Sequence, residues 1–135
     1  MNEYVADAHV VVWYLFASNR LGKAAMSALL DAEAGKAKIY IPAVAIGEMI
    51  MVVEKKRLPG AAMAPLITYL NWMHSQSHYD LLLLHPDVVL SSHTLTIIPE
   101  IFDRLIVADA LRLGFPLITS DSVIRASGVV NVVWD

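Results

Sequence analysis

The chain has no cysteine, so neither disulfides nor thiolate metal sites are open to it. It also lacks any uninterrupted apolar run near the ~20 residues that span a bilayer. The longest candidate, Ala43 to Val53, is broken by Gly47 and Glu48. The start, MNEYVADAHV, has no basic region ahead of an apolar stretch, which argues against a secretory signal. A cytoplasmic protein with no membrane association is expected. Positive charge is scarce, with 10 Lys and Arg against 13 Asp and Glu and a net charge of -3. Any contact with RNA or DNA therefore needs a local patch or a metal bridge rather than a basic surface. No Gly/Pro/Ser-rich linker, internal repeat or low-complexity tract divides the 135 residues, so one domain over 1–135 is expected. What the chain has in excess is apolar sequence. A hydrophobic content of 57% and a mean hydropathy of +0.56 imply burial in sheet layers or against a partner.

The stretch Phe102 to Asp121, FDRLIVADALRLGFPLITSD, organises the rest. Leu105 to Leu113 predict a helix of about three turns, and Gly114 is the residue that accepts positive φ at its end. Pro116 cannot extend a helix but can begin a strand, and Leu117, Ile118 and Thr119 read as a short buried parallel strand. Elsewhere the pattern predicts strands near 4–7, 38–41, 81–84 and 130–134. Helices are expected over Val10–Phe16, Leu21–Ala34, Ala43–Lys56, Ala61–Ser75 and Asp87–Leu95. Strands alternating with helices imply a three-layer α/β/α sandwich around a parallel sheet.

Four carboxylates stand out. Asp7 follows the first strand, Glu48 lies inside the helix after the second, Asp103 begins a helix, and Asp121 follows the fourth strand. Each is embedded in apolar sequence, where an unpaired carboxylate is costly unless it is at an edge, paired or bound to a cation. In an open α/β sheet the carboxyl ends of the strands are where ligands bind. Four acids converging there would repel one another unless a divalent ion neutralised them, and oxygen-only ligation suits Mg²⁺ or Mn²⁺. Such an ion can clamp a phosphodiester and activate water for in-line attack on phosphorus.

Asp7-Ala8-His9 with apolar residues on to Trp13, then Glu48, Phe102-Asp103-Arg104 and Leu117-Ile118-Thr119-Ser120-Asp121 resemble a PIN-domain protein. Within that family the chain is most similar to the VapC-type toxins of toxin-antitoxin pairs. The resemblance implies a PIN-like sheet of order 3-2-1-4-5. It also implies a Mg²⁺- or Mn²⁺-dependent endoribonuclease, a homodimer and a cognate antitoxin. Asp7, Glu48, Asp103 and Asp121 match the acidic metal-binding and catalytic positions. Members of the subtype often carry Thr after the first Asp, Trp before the Glu, and His and Pro near the third acid. Here those places hold Ala8, Gly47 and Pro99-Glu100-Ile101.

Plainer roles compete for several residues. Asp7, Asp103 and Asp121 are each suited to capping a helix or turn. Glu48 has no such purpose among Ala45, Ile46, Met49 and Ile50, short of a pair with Lys55. Asp109 lies six residues after Asp103, roughly 240° around the helix, and is better placed to pair with Arg112 at i, i+3. Arg104 reads as a phosphate contact or, equally, a surface arginine. His9 reads as a substrate-facing residue or, more commonly, a satisfied or half-exposed histidine, and Thr119 and Ser120 as holders of a metal-bound water or as hydroxyls bonded in a turn. Lys55, Lys56 and Arg57 read first as a solvated helix end and second as an RNA-contact patch. His74, His78, His85 and His93 lack ligand-like spacing. A receiver-type domain would need a lysine near a late strand, and none follows Lys56. A haloacid-dehalogenase-like site would need an Asp where His9 stands. The remaining alternative is a non-catalytic PIN-like module that binds a protein partner.

Overall fold

The computed structural model describes all 135 residues. Five strands form one parallel sheet: β1 (Asn2–Ala6), β2 (Ala37–Pro42), β3 (Tyr79–Leu82), β4 (Leu117–Ile118) and β5 (Val132–Val133). Their order is β3-β2-β1-β4-β5, the order expected of a PIN-like sandwich. Seven α-helices flank the sheet: α1 (Ala8–Phe16), α2 (Lys23–Glu33), α3 (Ala43–Glu54), α4 (Met63–His74), α5 (Pro86–Ser91), α6 (Ile101–Leu113) and α7 (Ser122–Ser127). Short 3-10 turns cover Ser18–Arg20 and Ser92–Thr94.

The centre of the sheet is buried on both faces, as parallel sheets require. Val5, Ala6, Ile39, Ile41, Leu117 and Ile118 are fully buried and belong to one continuous core of 29 residues. Each large aliphatic side chain there contributes roughly 1.5–3 kcal/mol. Strand β1 lies between β2 and β4, with Val5 opposite both Tyr40 and Leu117. Because all pairings are parallel, the carboxyl ends of the strands fall on one edge.

Helix α6 shows how local sequence sets an element. The Glu100 carboxylate accepts the Asp103 N–H at 2.9 Å, closing the first turn. Leu105 to Ala110 are buried without a break, and Gly114 ends the helix at φ 76°. Proline at position 65 is tolerated because it falls in the first turn of α4.

Most boundaries shift by a residue or two from the sequence reading, and three of the differences have a clear physical cause. The third strand runs Tyr79–Leu82 rather than 81–84, because its partner Ile39 pairs with Tyr79, and Leu83 is left exposed beyond the sheet edge. The helix expected over Asp87–Leu95 stops at Ser91 and tightens into a 3-10 turn, where the Ser92 hydroxyl bonds back to the Val89 carbonyl at 2.6 Å. The last strand shrinks from 130–134 to Val132–Val133, since β4 offers only two residues to pair with. Helix α7 was not anticipated. Its signals were Asp121 as cap and Gly128 as stop, with φ 70° at the glycine.

Candidate active site

The strand order reverses direction between β1 and β4, and the crevice at such a switch point is the natural ligand site of an open α/β sheet. Asp7 leaves β1 and Asp121 follows β4, so the two acids stand on either side of it. Their backbones are registered by the Asp7 N–H donating to the Ile118 carbonyl at 3.0 Å. Thr119, fully buried, joins them. Its hydroxyl donates to Asp7 Oδ2 at 2.7 Å and accepts the Asp121 N–H at 3.1 Å.

Asp7 and Asp121 are also helix caps. Asp7 Oδ1 accepts the Ala8 N–H at 2.7 Å at the start of α1, and Asp121 Oδ1 accepts the Ile124 N–H at 2.9 Å at the start of α7. The capping role and the site role therefore coincide in one side chain, because the cap of a helix that follows a strand sits at the strand's carboxyl end.

Glu48 and Asp103 arrive from packed neighbours, α3 and α6. All four acids line one open cleft of about 510 Å³, together with Glu100, His9, Trp13, Met51, Arg57, Phe102 and Ser120. Burial raises the pKa of Glu48 to about 7, with the charges of Asp7, Asp103, Glu100 and Asp121 adding to the effect. Burial likewise raises Asp103 to about 7, reinforced by Asp7, Asp121 and Glu100. Asp7 is also raised by burial, against the hydrogen bonds from Thr119 and Ala8. Glu48 Oε1 is buried and has no hydrogen-bond partner. It forms no ion pair with Lys55. A buried, unpartnered carboxylate oxygen in a cleft with four other acids is the signature of a group that awaits a donor or a cation.

Oxygen-only donors and mutual repulsion fit a hard divalent cation. No three His, Asp or Glu side chains are grouped tightly enough to hold one ion entirely through their own atoms.

The remaining candidates separate cleanly. Asp109 is 1% exposed, outside the cleft, and paired with Arg112 at 3.4 Å. The Arg104 guanidinium is committed to the Ile98 and Pro99 carbonyls, bracing the approach to α6 rather than facing a ligand. His9 is exposed at the cleft and tilted against Trp13, with ring centroids 5.5 Å apart. The Thr119 hydroxyl is spent on positioning two acids. Glu100 was missed as a cleft residue; its signal was a fifth acid three residues before Asp103, the spacing of a helix cap with its first-turn partner.

A family model described as the PIN domain matches residues 4–128. No curated protein sequence matches the chain. Among solved structures the fold is similar to VapBC2 from Rickettsia felis bound to a DNA fragment from their promoter. The TM-score there is 0.70 at 15% identity, covering 98% of this chain and 99% of that one. It is also similar to VapC20 of Mycobacterium tuberculosis, a Sarcin-Ricin loop cleaving toxin, at TM-score 0.68 and 13% identity over 96% and 98% of the two chains. A toxin-antitoxin complex from Klebsiella pneumoniae matches at TM-score 0.65 and 20% identity over 96% and 95%.

Proposed function

The chain belongs to the PIN-domain family, and on that premise we propose that it is a VapC-type endoribonuclease toxin that is dependent on Mg²⁺ or Mn²⁺ and neutralised by a cognate antitoxin. The observation that carries this reading is the convergence of Asp7, Glu48, Asp103 and Asp121 on one cleft, with Glu48 Oε1 buried and unpartnered. Asp7, Asp103 and Asp121 would hold the cation directly or through its waters. When bound, that cation supplies charge neutralisation for the phosphodiester and a lowered pKa for water.

The protein's own residues do the rest. Thr119 keeps Asp7 and Asp121 in register, so that two of the acids present their remaining lone pairs to the cleft. Glu48 either completes the ligand shell or orients the attacking water through its free Oε1. In-line attack on phosphorus breaks the bond to the 3′ oxygen, which takes up a proton and leaves as a hydroxyl while the phosphate stays on the 5′ side. This polarity is what membership of the family implies. The solved toxin-antitoxin relatives support an antitoxin partner here. Large apolar side chains left exposed, among them Ile97, Ile101 and Phe102, support a homodimer as well.

The test is cleavage of RNA by purified protein with and without Mg²⁺. Cleavage should vanish in EDTA and fall by orders of magnitude in Asp7→Asn and Asp103→Asn, both of which keep the fold because the amide is isosteric and relieves repulsion. Asp109→Asn should leave cleavage nearly intact. Full activity in Asp103→Asn, or activity that survives EDTA, would sink the assignment. Absence of any cleavage would leave the non-catalytic interaction module as the better reading.

A further inference from the structure

We infer that Arg57 is the residue that grips the RNA strand at the cleft, binding a phosphate beside the one that is cut. The inference rests on the ribonuclease reading of the cleft and goes beyond its four acids. The chain has five arginines, and four of them are committed. Arg104 is bonded to two backbone carbonyls, Arg112 is paired with Asp109, Arg125 with Asp135, and Arg20 lies over the Trp13 ring at 5.9 Å. The Arg57 side chain alone makes no ion pair, no hydrogen bond and no ring contact, although it lines a cleft that carries five carboxylates. Its guanidinium is therefore not there to neutralise those acids.

The backbone that delivers Arg57 is specifically shaped. Helix α3 ends in a Schellman turn, in which the Lys56 N–H donates to the Val53 carbonyl at 3.1 Å and the Arg57 N–H to the Val52 carbonyl at 3.0 Å. Lys56 takes the left-handed conformation at φ 53° and is the one non-glycine residue with positive φ. Glycine would hold that position at lower cost, so the turn is kept in spite of the strain. Leu58, 4% exposed, pins the chain to the core directly afterwards. The turn thus reverses the chain within one residue and sets Arg57 on the cleft wall, with its neighbours on both sides held.

An anionic strand entering an acidic cleft is repelled wherever no cation neutralises the wall. Arg57 is the only lysine or arginine in the lining. A planar guanidinium fork matches phosphate oxygens in pairs and stays charged at every working pH. RNA is favoured over an acidic peptide because the same wall carries the acids assigned to phosphodiester chemistry. A contact with a phosphate that does not react is equally strong in the ground and transition states, so it acts on KM and leaves kcat alone.

The experiment compares wild type, Arg57→Gln and Arg57→Lys in cleavage of a fluorescein-labelled, mixed-sequence single-stranded RNA in Mg²⁺ over a range of KCl. Arg57→Gln should raise KM about tenfold and keep kcat within about twofold. It should also flatten the dependence of log KM on log salt by about 0.7, the value of one phosphate contact on a single strand. Arg57→Lys should restore the salt slope, since the charge returns, with only part of the affinity. Melting temperatures should agree across the three, because the side chain has no partner to lose. An unchanged KM and slope in Arg57→Gln, or a loss that lysine does not repair, would overturn the proposal. If the wild type cuts no RNA at all, the ribonuclease reading fails separately. Fluorescence anisotropy of the same RNA in Mg²⁺ then decides on Arg57. Weaker binding by Arg57→Gln upholds the grip, whereas equal binding, or none by the wild type, removes it.

Discussion

Glu48 and Asp103 hold their protons more tightly folded than unfolded, and this makes the cleft legible in a thermal melt. Glu48 moves from 4.5 to about 7 and Asp103 from 3.8 to about 7, each chiefly by burial and then by the neighbouring acids. Between those limits the native state binds more protons than the unfolded chain, so stability falls as pH rises through the window and the penalty is complete above about 7. Both groups are half-buried, and after solvent screening each costs on the order of 1 kcal/mol. Metal-free protein should therefore melt a few degrees lower at pH 8 than at pH 5. Glu48→Gln should flatten that dependence, and Mg²⁺ at pH 8 should reverse it. A metal-free melting temperature that climbs over the same interval would contradict the electrostatic account. The sequence exposed the acids themselves, because a carboxylate such as Glu48 amid Ala45, Ile46, Met49 and Ile50 has no local partner. It did not expose Thr119 as their link, since a hydroxyl in a turn looks the same whether it bonds to its own loop or to a carboxylate 112 residues away.

At the scale of elements, the helices were the easier half. Gly114 takes positive φ at the helix end where the sequence predicts it, and Gly35 does the same just past α2. Helix α2, by contrast, begins with a device no local pattern reveals. Gly22 offers no side-chain cap, and the Ala25 N–H donates instead to the Trp134 carbonyl at 3.0 Å. A Cβ on Gly22 would lie 2.1 Å from that carbonyl oxygen. Gly22→Ala should therefore push the C-terminal residues off α2, costing roughly 1–3 kcal/mol through steric crowding and the lost cap. Urea unfolding measures this directly, and a midpoint equal to wild type would refute the close approach. The Trp134 ring also meets Trp13 edge-on at 6.0 Å, so the last strand's exit and the cleft wall share one aromatic contact.

For the whole molecule, the excess of apolar sequence is only partly consumed by the core. Leu90, Ile97, Ile101, Phe102, Leu111 and Val123 remain between 43% and 68% exposed, on α5, the approach to α6, α6 and α7. A surface of this kind is a common mark of a protein interface. If it closes the proposed homodimer, the wild type should sediment as a dimer at micromolar concentration and Ile97→Asp as a monomer with an unchanged melting temperature. A wild type that stays monomeric would assign these side chains to the antitoxin or to no partner.

What the sequence determined by itself was whatever depends on near neighbours: the alternation of strand and helix, the glycine stops, the Asp109–Arg112 pair at i, i+3, and the acids at the carboxyl ends of strands. Those follow from backbone propensity and from the cost of burying charge, both of which act within a few residues. The tertiary structure alone decided where β3 begins, because strand register is set by a partner; how short β5 is, because β4 limits it; and that the Trp134 carbonyl caps α2. It also decided that Arg57 turns into the cleft while Arg104 turns away to brace a loop. Two arginines beside the same acids look alike in sequence, and only the Schellman turn and the carbonyls of Ile98 and Pro99 distinguish them, since hydrogen-bond partners are chosen in space and not along the chain.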